Sequence, residues 1–229
     1  MGSPLGQFYL EWLDHLHLTA NQLLSSTTKP LPSPDHLPLL ISRFLMQYFD
    51  YYRVRSLAAD HDIVSLLSTP WCTPLERSLH WIGSWRPTMV FHLVYTESSI
   101  LFESHIIDIL RGYRTGDLGD LSPSQLRMVS DLQCETVREE NEINDELGEW
   151  QEAGACDLLL TISGVTDVQV FRLAEAVKKA DELRLKTVRR VVELLTPRQA
   201  AEFLVSVAEM EFGARGLGMK YSQLSATSA

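Results

Sequence analysis

Ser122-Pro123-Ser124-Gln125-Leu126-Arg127-Met128-Val129 is the stretch on which the fold class turns. Ser122 carries a hydroxyl that can accept from the orphan backbone N–H groups of a helix start. Pro123 stands at the first helical position, where its missing donor costs nothing. Gln125, three residues past the cap, can reach back to the cap residue's own N–H. A run of helical period follows. The same grammar recurs at Thr73-Pro74-Leu75-Glu76 and at Thr196-Pro197-Arg198-Gln199. One such box is a weak signal. Three, each ahead of a periodic apolar run, predict an all-α chain: a helical bundle of about seven helices in two packed halves.

Working outward, Phe8, Trp12, Leu16 and Leu23 share one face of a first helix over about 5–25. Lys29-Pro30-Leu31-Pro32-Ser33-Pro34 reads as an extended connector. A second helix spans about 37–67 with an interruption near Asp60, and a short one ends by Gly83. Pro87 starts another that reaches about Leu110, and Gly112, Gly116 and Gly119 form the loop between the halves. The fifth helix, about 123–153, is acidic: ten acids against one base, Arg138, between Asp131 and Asp157. The sixth, about 166–195, is basic, with Arg184 in its apolar seam. Because the fifth helix also carries Gln133, Thr136 and Glu140 mid-seam, antiparallel packing with Arg184 against Glu139 or Glu140 is expected. The last helix starts at Pro197 and is expected to stop near Phe212, at Gly213, Gly216 and Gly218. One domain over 5–219 follows, with sub-halves of about 5–111 and 121–219 and a flexible tail at 220–229.

The chain has 229 residues, 45% hydrophobic and 22% charged, enough for a full core without staples. A net charge of −10 argues against nucleic acid or an anionic membrane as partner. Cys72, Cys134 and Cys156 form no CxxC pair, and no stretch of 18 apolar residues occurs.

No catalytic constellation emerges. Serine is abundant, but there is no G-x-S-x-G elbow and no base placed to activate a nucleophile. His15 and His17 face different ways on a helix, and Asp60-His61-Asp62 lacks converging ligands. The sequence points to no catalytic, metal or cofactor-binding residue. Gly213-Ala214-Arg215-Gly216-Leu217-Gly218 follows a helix rather than a strand, so it reads as a C-cap and not a phosphate loop. More distinctive are Trp71, Trp81 and Trp85 with Arg77 and Arg86 interleaved. Indoles bury large areas, and guanidinium groups stack on them. The block reads either as core or as an aromatic-lined pocket.

The run Leu66-Leu67-Ser68-Thr69-Pro70-Trp71-Cys72-Thr73-Pro74-Leu75-Glu76-Arg77-Ser78-Leu79-His80-Trp81-Ile82-Gly83-Ser84-Trp85-Arg86-Pro87 resembles the signature of the plant Delay of Germination domain, which also forms the C-terminal part of TGA-type bZIP factors. The likeness extends to Phe8-Tyr9-Leu10-Glu11-Trp12-Leu13, Val137-Arg138-Glu139-Glu140, Ala180-Asp181-Glu182-Leu183-Arg184-Leu185 and Leu195-Thr196-Pro197-Arg198-Gln199-Ala200, covering about residues 7–219. Trp12, Trp71, Arg77, Trp81, Trp85, Arg86, Glu140 and Arg184 are the signature positions. The loop Gly116-Asp117-Leu118-Gly119-Asp120 and the helix end Gly148-Glu149-Trp150-Gln151 are similar to the Inaperturate Pollen branch.

The resemblance implies a non-enzymatic regulatory adaptor acting through protein–protein interaction, in pollen aperture formation. The alternatives it leaves open are a seed-dormancy and abscisic-acid regulator, or a transcription-linked sensor of a fatty acid or haem. The haem-ligating histidines of that branch lie near its C-terminal end, and no histidine follows His105 here, so no cofactor is carried over. The implied partners are a related family protein, a kinase or phosphatase, or a bZIP factor, with homodimerisation also in view. Specific DNA binding is not expected, because Met1 stands almost at the domain start. Cytoplasm and nucleus are the expected compartments, with peripheral recruitment to plasma-membrane domains through a partner. Glu142, Asp145, Glu146, Glu149 and Glu152 are the expected partner-binding surface.

Overall fold

In the computed structural model, which describes residues 4–28, 36–160 and 167–227, all three capping boxes close. Thr73 Oγ1 accepts from Glu76 N at 3.2 Å, and Glu76 Oε2 accepts from Thr73 N at 2.6 Å. Ser122 with Gln125 and Thr196 with Gln199 repeat the exchange. The last two boxes are also tied together. Gln125 Nε2 donates to Gln199 Oε1 at 2.8 Å, and Gln199 Nε2 donates to the Asp117 carbonyl at 3.1 Å. Gln199→Ala is expected to lose about 1–2 kcal/mol by urea denaturation, more than an exposed cap would, because it also strands buried partners.

Eight α-helices stand among the described residues: α1 Pro4–Thr28, α2 His36–Ser68, α3 Pro74–Ser78, α4 Met89–Ser104, α5 Ile106–Leu110, α6 Pro123–Leu160, α7 Asp167–Leu194 and α8 Pro197–Thr227. The expected connector at Lys29–Pro34 lies outside the described residues. The interruption in α2 falls at Asp62, whose carboxylate accepts from Ser65 N at 3.0 Å and so recaps the helix. The helix expected over 87–110 divides at His105 into α4 and α5, which makes eight helices instead of seven. There a 3-10 turn, Leu118–Asp120, packs onto the end of α4. Gly119 approaches so closely that a methyl group would sit 2.7 Å from Phe102 N.

One expectation is corrected. Helix α8 does not stop at Gly213, Gly216 and Gly218 but runs to Thr227, through much of the tail expected to be flexible. The reason is packing: a side chain at Gly218 would collide with Thr73, so the glycine lets α8 pass close to the start of α3. Three glycines weaken an isolated helix by about 1 kcal/mol each. Packing of α8 against α1, α2, α3 and α4 offsets that loss.

The main core runs from Tyr9, Trp12 and Leu16 of α1 through Phe44 and Tyr48 of α2 to Phe203 and Leu204 of α8. Trp12 stacks on Tyr51 at 4.1 Å and donates its indole N–H to the Gln47 carbonyl at 3.0 Å. Helices α6 and α7 pack antiparallel, as their opposite charge predicts. Lys179 meets Glu146 at 2.7 Å, Lys186 meets Glu139 at 2.7 Å, and Arg190 meets Glu135 at 3.8 Å, all in one register.

Candidate functional site

Helices α6 and α7 each place a buried charged residue at the same level, and both residues turn onto the loop between α3 and α4. Glu140 of α6 and Arg184 of α7 are each fully buried. They do not pair with each other, and Glu139 is taken by Lys186, so the expected Arg184–carboxylate contact across the helices is corrected. Glu140 instead accepts from Arg86 Nε at 2.7 Å and from the Thr88 N–H at 2.7 Å. Arg184 donates to the carbonyls of Trp85, at 2.6 Å, of Ile82 and of Trp81. Its counter-charge comes from its own helix: Asp181 Oδ1 lies 2.5 Å from Arg184 Nη1. The other oxygen of Asp181 accepts from Arg55 Nε of α2 at 2.8 Å, with both side chains almost fully buried.

This clamp holds backbone that would not hold itself. Ile82 has φ +48 and Gly83 φ +72, and Trp81 and Ser84 exchange backbone hydrogen bonds around them. A β-branched residue at positive φ costs on the order of 1–3 kcal/mol. Arg184 meets that cost by bonding the carbonyls on either side. Gly83 is required twice, by its φ and because a methyl there would press on Arg55 Nη2 at 3.2 Å. Burial works against both guanidinium charges. Asp181, by its charge and its hydrogen bond, holds Arg55 above the ordinary arginine range, whereas Arg184, facing Arg55 as well, is pulled below it. Both remain cationic.

The structure thus brings Trp81, Trp85, Arg86, Glu140 and Arg184 together. Arg86 and Arg184 lie over the Trp81 ring at 5.9 and 5.3 Å, and the Trp81 indole donates to Asn144 Oδ1 at 2.8 Å. Trp85 is buried, whereas Trp81 and Trp71 are half-buried. Trp71 and Trp12 belong to a separate aromatic group around Tyr9. Arg77 is exposed, and its guanidinium donates to the Cys72 carbonyl at 3.2 Å. The sequence reading missed Arg55, Asp181 and Glu211 as parts of this site, and read Glu76 as a capping acid alone. The signal for Arg55 was its place on the otherwise apolar stripe Tyr48, Tyr52, Ala59, Ile63 of α2.

Beneath the loop lies a cavity of about 330 Å³, with Tyr9, Glu76, His80, Trp85, Met210 and Glu211 among its walls. Burial, with Arg55 and Arg184 nearby, lowers His80 to about 4, so its ring is neutral. Burial also pushes the Cys72 thiol up to about 12, which removes it as a nucleophile at neutral pH. Among the described residues no three His, Cys, Asp or Glu are grouped to hold a metal, and no helix is long and apolar enough to cross a membrane.

On the outer side of α6, Glu142, Asp145, Glu149 and Glu152 form one exposed stripe at helical spacing. Glu146 is exposed too, but pairs with Lys179. The other four make no ion pair among the described residues.

The family described as "DOG1: Seed dormancy control" matches residues 19–96, from the middle of α1 through the clamped loop into α4. Protein DOG1-like 4 of Arabidopsis thaliana is 28% identical over 93% of this chain and 90% of its own length. Protein ZW2 of the same plant is 27% identical over 93% of this chain and 95% of itself. Transcription factor TGA10, also from Arabidopsis thaliana, is 26% identical over 88% of this chain but only 43% of the factor. These relatives are not known enzyme families.

Proposed function

We propose, from the premise that this chain carries a Delay of Germination (DOG1) domain, that it is a non-enzymatic regulatory adaptor whose α6 stripe engages a basic protein partner. The observation that carries the reading is the row Glu142, Asp145, Glu149 and Glu152: four acids on one exposed face, left unpaired while their neighbours Glu135, Glu139 and Glu146 are matched by α7. Such a field steers and orients a partner of opposite sign more than it adds affinity. The clamp is then the scaffold that fixes α6 against the rest of the bundle. Pollen aperture formation is the process we propose, and what supports it is the resemblance of the Gly116–Asp120 loop and the Gly148–Gln151 turn of α6 to the Inaperturate Pollen branch. Seed-dormancy regulation is the second reading, favoured by the description of the matching family and by the DOG1-like relatives.

Affinity capture from developing anthers and from seeds, side by side, tests both. Changing Glu142, Asp145 and Glu149 to Lys is expected to abolish capture while moving Tm by only a few degrees, since exposed charges are worth about 0–1 kcal/mol each. Capture that survives the triple reversal overturns the acidic-surface reading. A partner lost by the variant from anthers only supports the pollen assignment, and one lost from seeds only supports the second reading.

A further inference from the structure

We infer that the cavity beneath the Trp81–Arg86 loop binds a small amphiphilic cation, an aromatic or cyclic amine, with its ammonium on the Glu211 carboxylate and its apolar body against Trp85, Met89 and Met210. A space of about 330 Å³ is of the size that small ligands occupy, and its walls are mostly apolar with a few polar groups. Indole faces attract cations, and the two methionines adapt to irregular shapes.

The sign of the charge follows from which lining groups are already matched. Glu76 is committed: its carboxylate accepts from Thr73 N and the Tyr9 hydroxyl and lies 3.6 Å from Arg215. Arg86 is committed to Glu140, and His80 is neutral. Arg55 and Arg184 share Asp181, and neither reaches Glu211 to form an ion pair. Glu211 is the acid left over. The Trp85 indole N–H lies beside it and favours its ionised form, yet that buried N–H completes no hydrogen bond of proper geometry. Burial first, then the Glu76 charge, pushes Glu211 up to about 7. An incoming ammonium would satisfy this carboxylate, whereas a carboxylate-bearing ligand such as a fatty acid would meet two acids. The cavity therefore selects against the anionic ligands that an aromatic pocket alone would admit.

Three probes with one body and different charge decide the matter: tryptamine, 3-ethylindole and indole-3-propionate, titrated into the full chain at pH 8 and followed by ligand-observed NMR. Tryptamine is expected to bind at least about tenfold tighter than 3-ethylindole, with indole-3-propionate weakest. Glu211→Gln should bring tryptamine down to the level of 3-ethylindole. Met89→Trp, which fills the exposed mouth of the cavity, should remove binding of all three, and it carries the test if the Gln variant does not fold. The inference is overturned if indole-3-propionate binds as tightly as tryptamine, if tryptamine shows no binding at millimolar concentration, or if its binding to both variants matches wild type.

Discussion

Asp181→Ala loses about 3–5 kcal/mol of stability in urea denaturation, a large share of what a domain of this size holds. The loss comes from charge left behind. Arg55 Nε and Arg184 Nη1 share the two oxygens of Asp181, at 2.8 and 2.5 Å, where all three side chains are almost wholly buried. Removing the acid leaves two guanidinium groups in the core with no counter-charge, and the loop carbonyls they also bind cannot neutralise them. The loss extends beyond the pair, because Arg184 holds the positive-φ turn at Ile82 and Gly83 in place. Asp181→Asn, which keeps an acceptor but not the charge, should fall between. A double-mutant cycle with Arg55→Met isolates the shared term. Glu139→Ala provides the contrast: its exposed pairing with Lys186 should be worth less than about 1 kcal/mol. If Asp181→Ala stays within about 1 kcal/mol of wild type, the clamp is not what holds the loop.

Much of this architecture was legible in the sequence, and the reasons differ from element to element. The helix starts were readable because a capping box is local chemistry: Thr73 and Glu76, or Ser122 and Gln125, meet whatever the rest of the chain does. The antiparallel pairing of α6 and α7 was readable because opposite charge and polar mid-seam residues constrain register. What failed was tertiary in origin. Glycines at 213, 216 and 218 look like a stop in a sequence window, but α8 needs the space Gly218 leaves beside Thr73. The Arg184 partner was assigned to the facing helix, because nothing local says that a loop a hundred residues upstream will supply the carbonyls or that Asp181 will serve two arginines. Asp181 sits three residues before Arg184, a spacing that puts both on one helix face, so the signal was present. Within the indole–arginine block, Arg86 lies over an indole, whereas Arg77 donates to the Cys72 carbonyl instead. Glu211 gave no sequence signal at all, since its surroundings come from α1, α2, α3, α7 and the clamped loop.

Glu211 sets the second large effect, a stability that changes with pH. Its carboxyl is raised from the ordinary 4.5 to about 7, chiefly by burial and then by Glu76, against the opposing pull of Arg184, the Trp85 N–H and Arg55. The Tyr9, Tyr48, Tyr51 and Tyr52 hydroxyls around it are themselves pushed up by burial and stay neutral. Because the folded value lies above the unfolded one, the protonated form favours folding. That contribution is full below about pH 4.5 and is lost as pH rises through about 7. Glu211→Gln removes the titration while keeping the shape. The variant should therefore be more stable than wild type by on the order of 2–3 kcal/mol at pH 8, with the difference shrinking steadily towards pH 5. Taking the difference between two proteins at each pH cancels the contributions of the other carboxyls that burial raises, Glu202 and Glu97 among them. A difference that stays constant from pH 5 to pH 8 would show that Glu211 is not held in this state. An acid kept at a cost to the fold, in a cavity, with no ion pair, is the pattern expected of a group retained for what it binds. The stabilising substitution and the loss of tryptamine binding should therefore appear in the same variant.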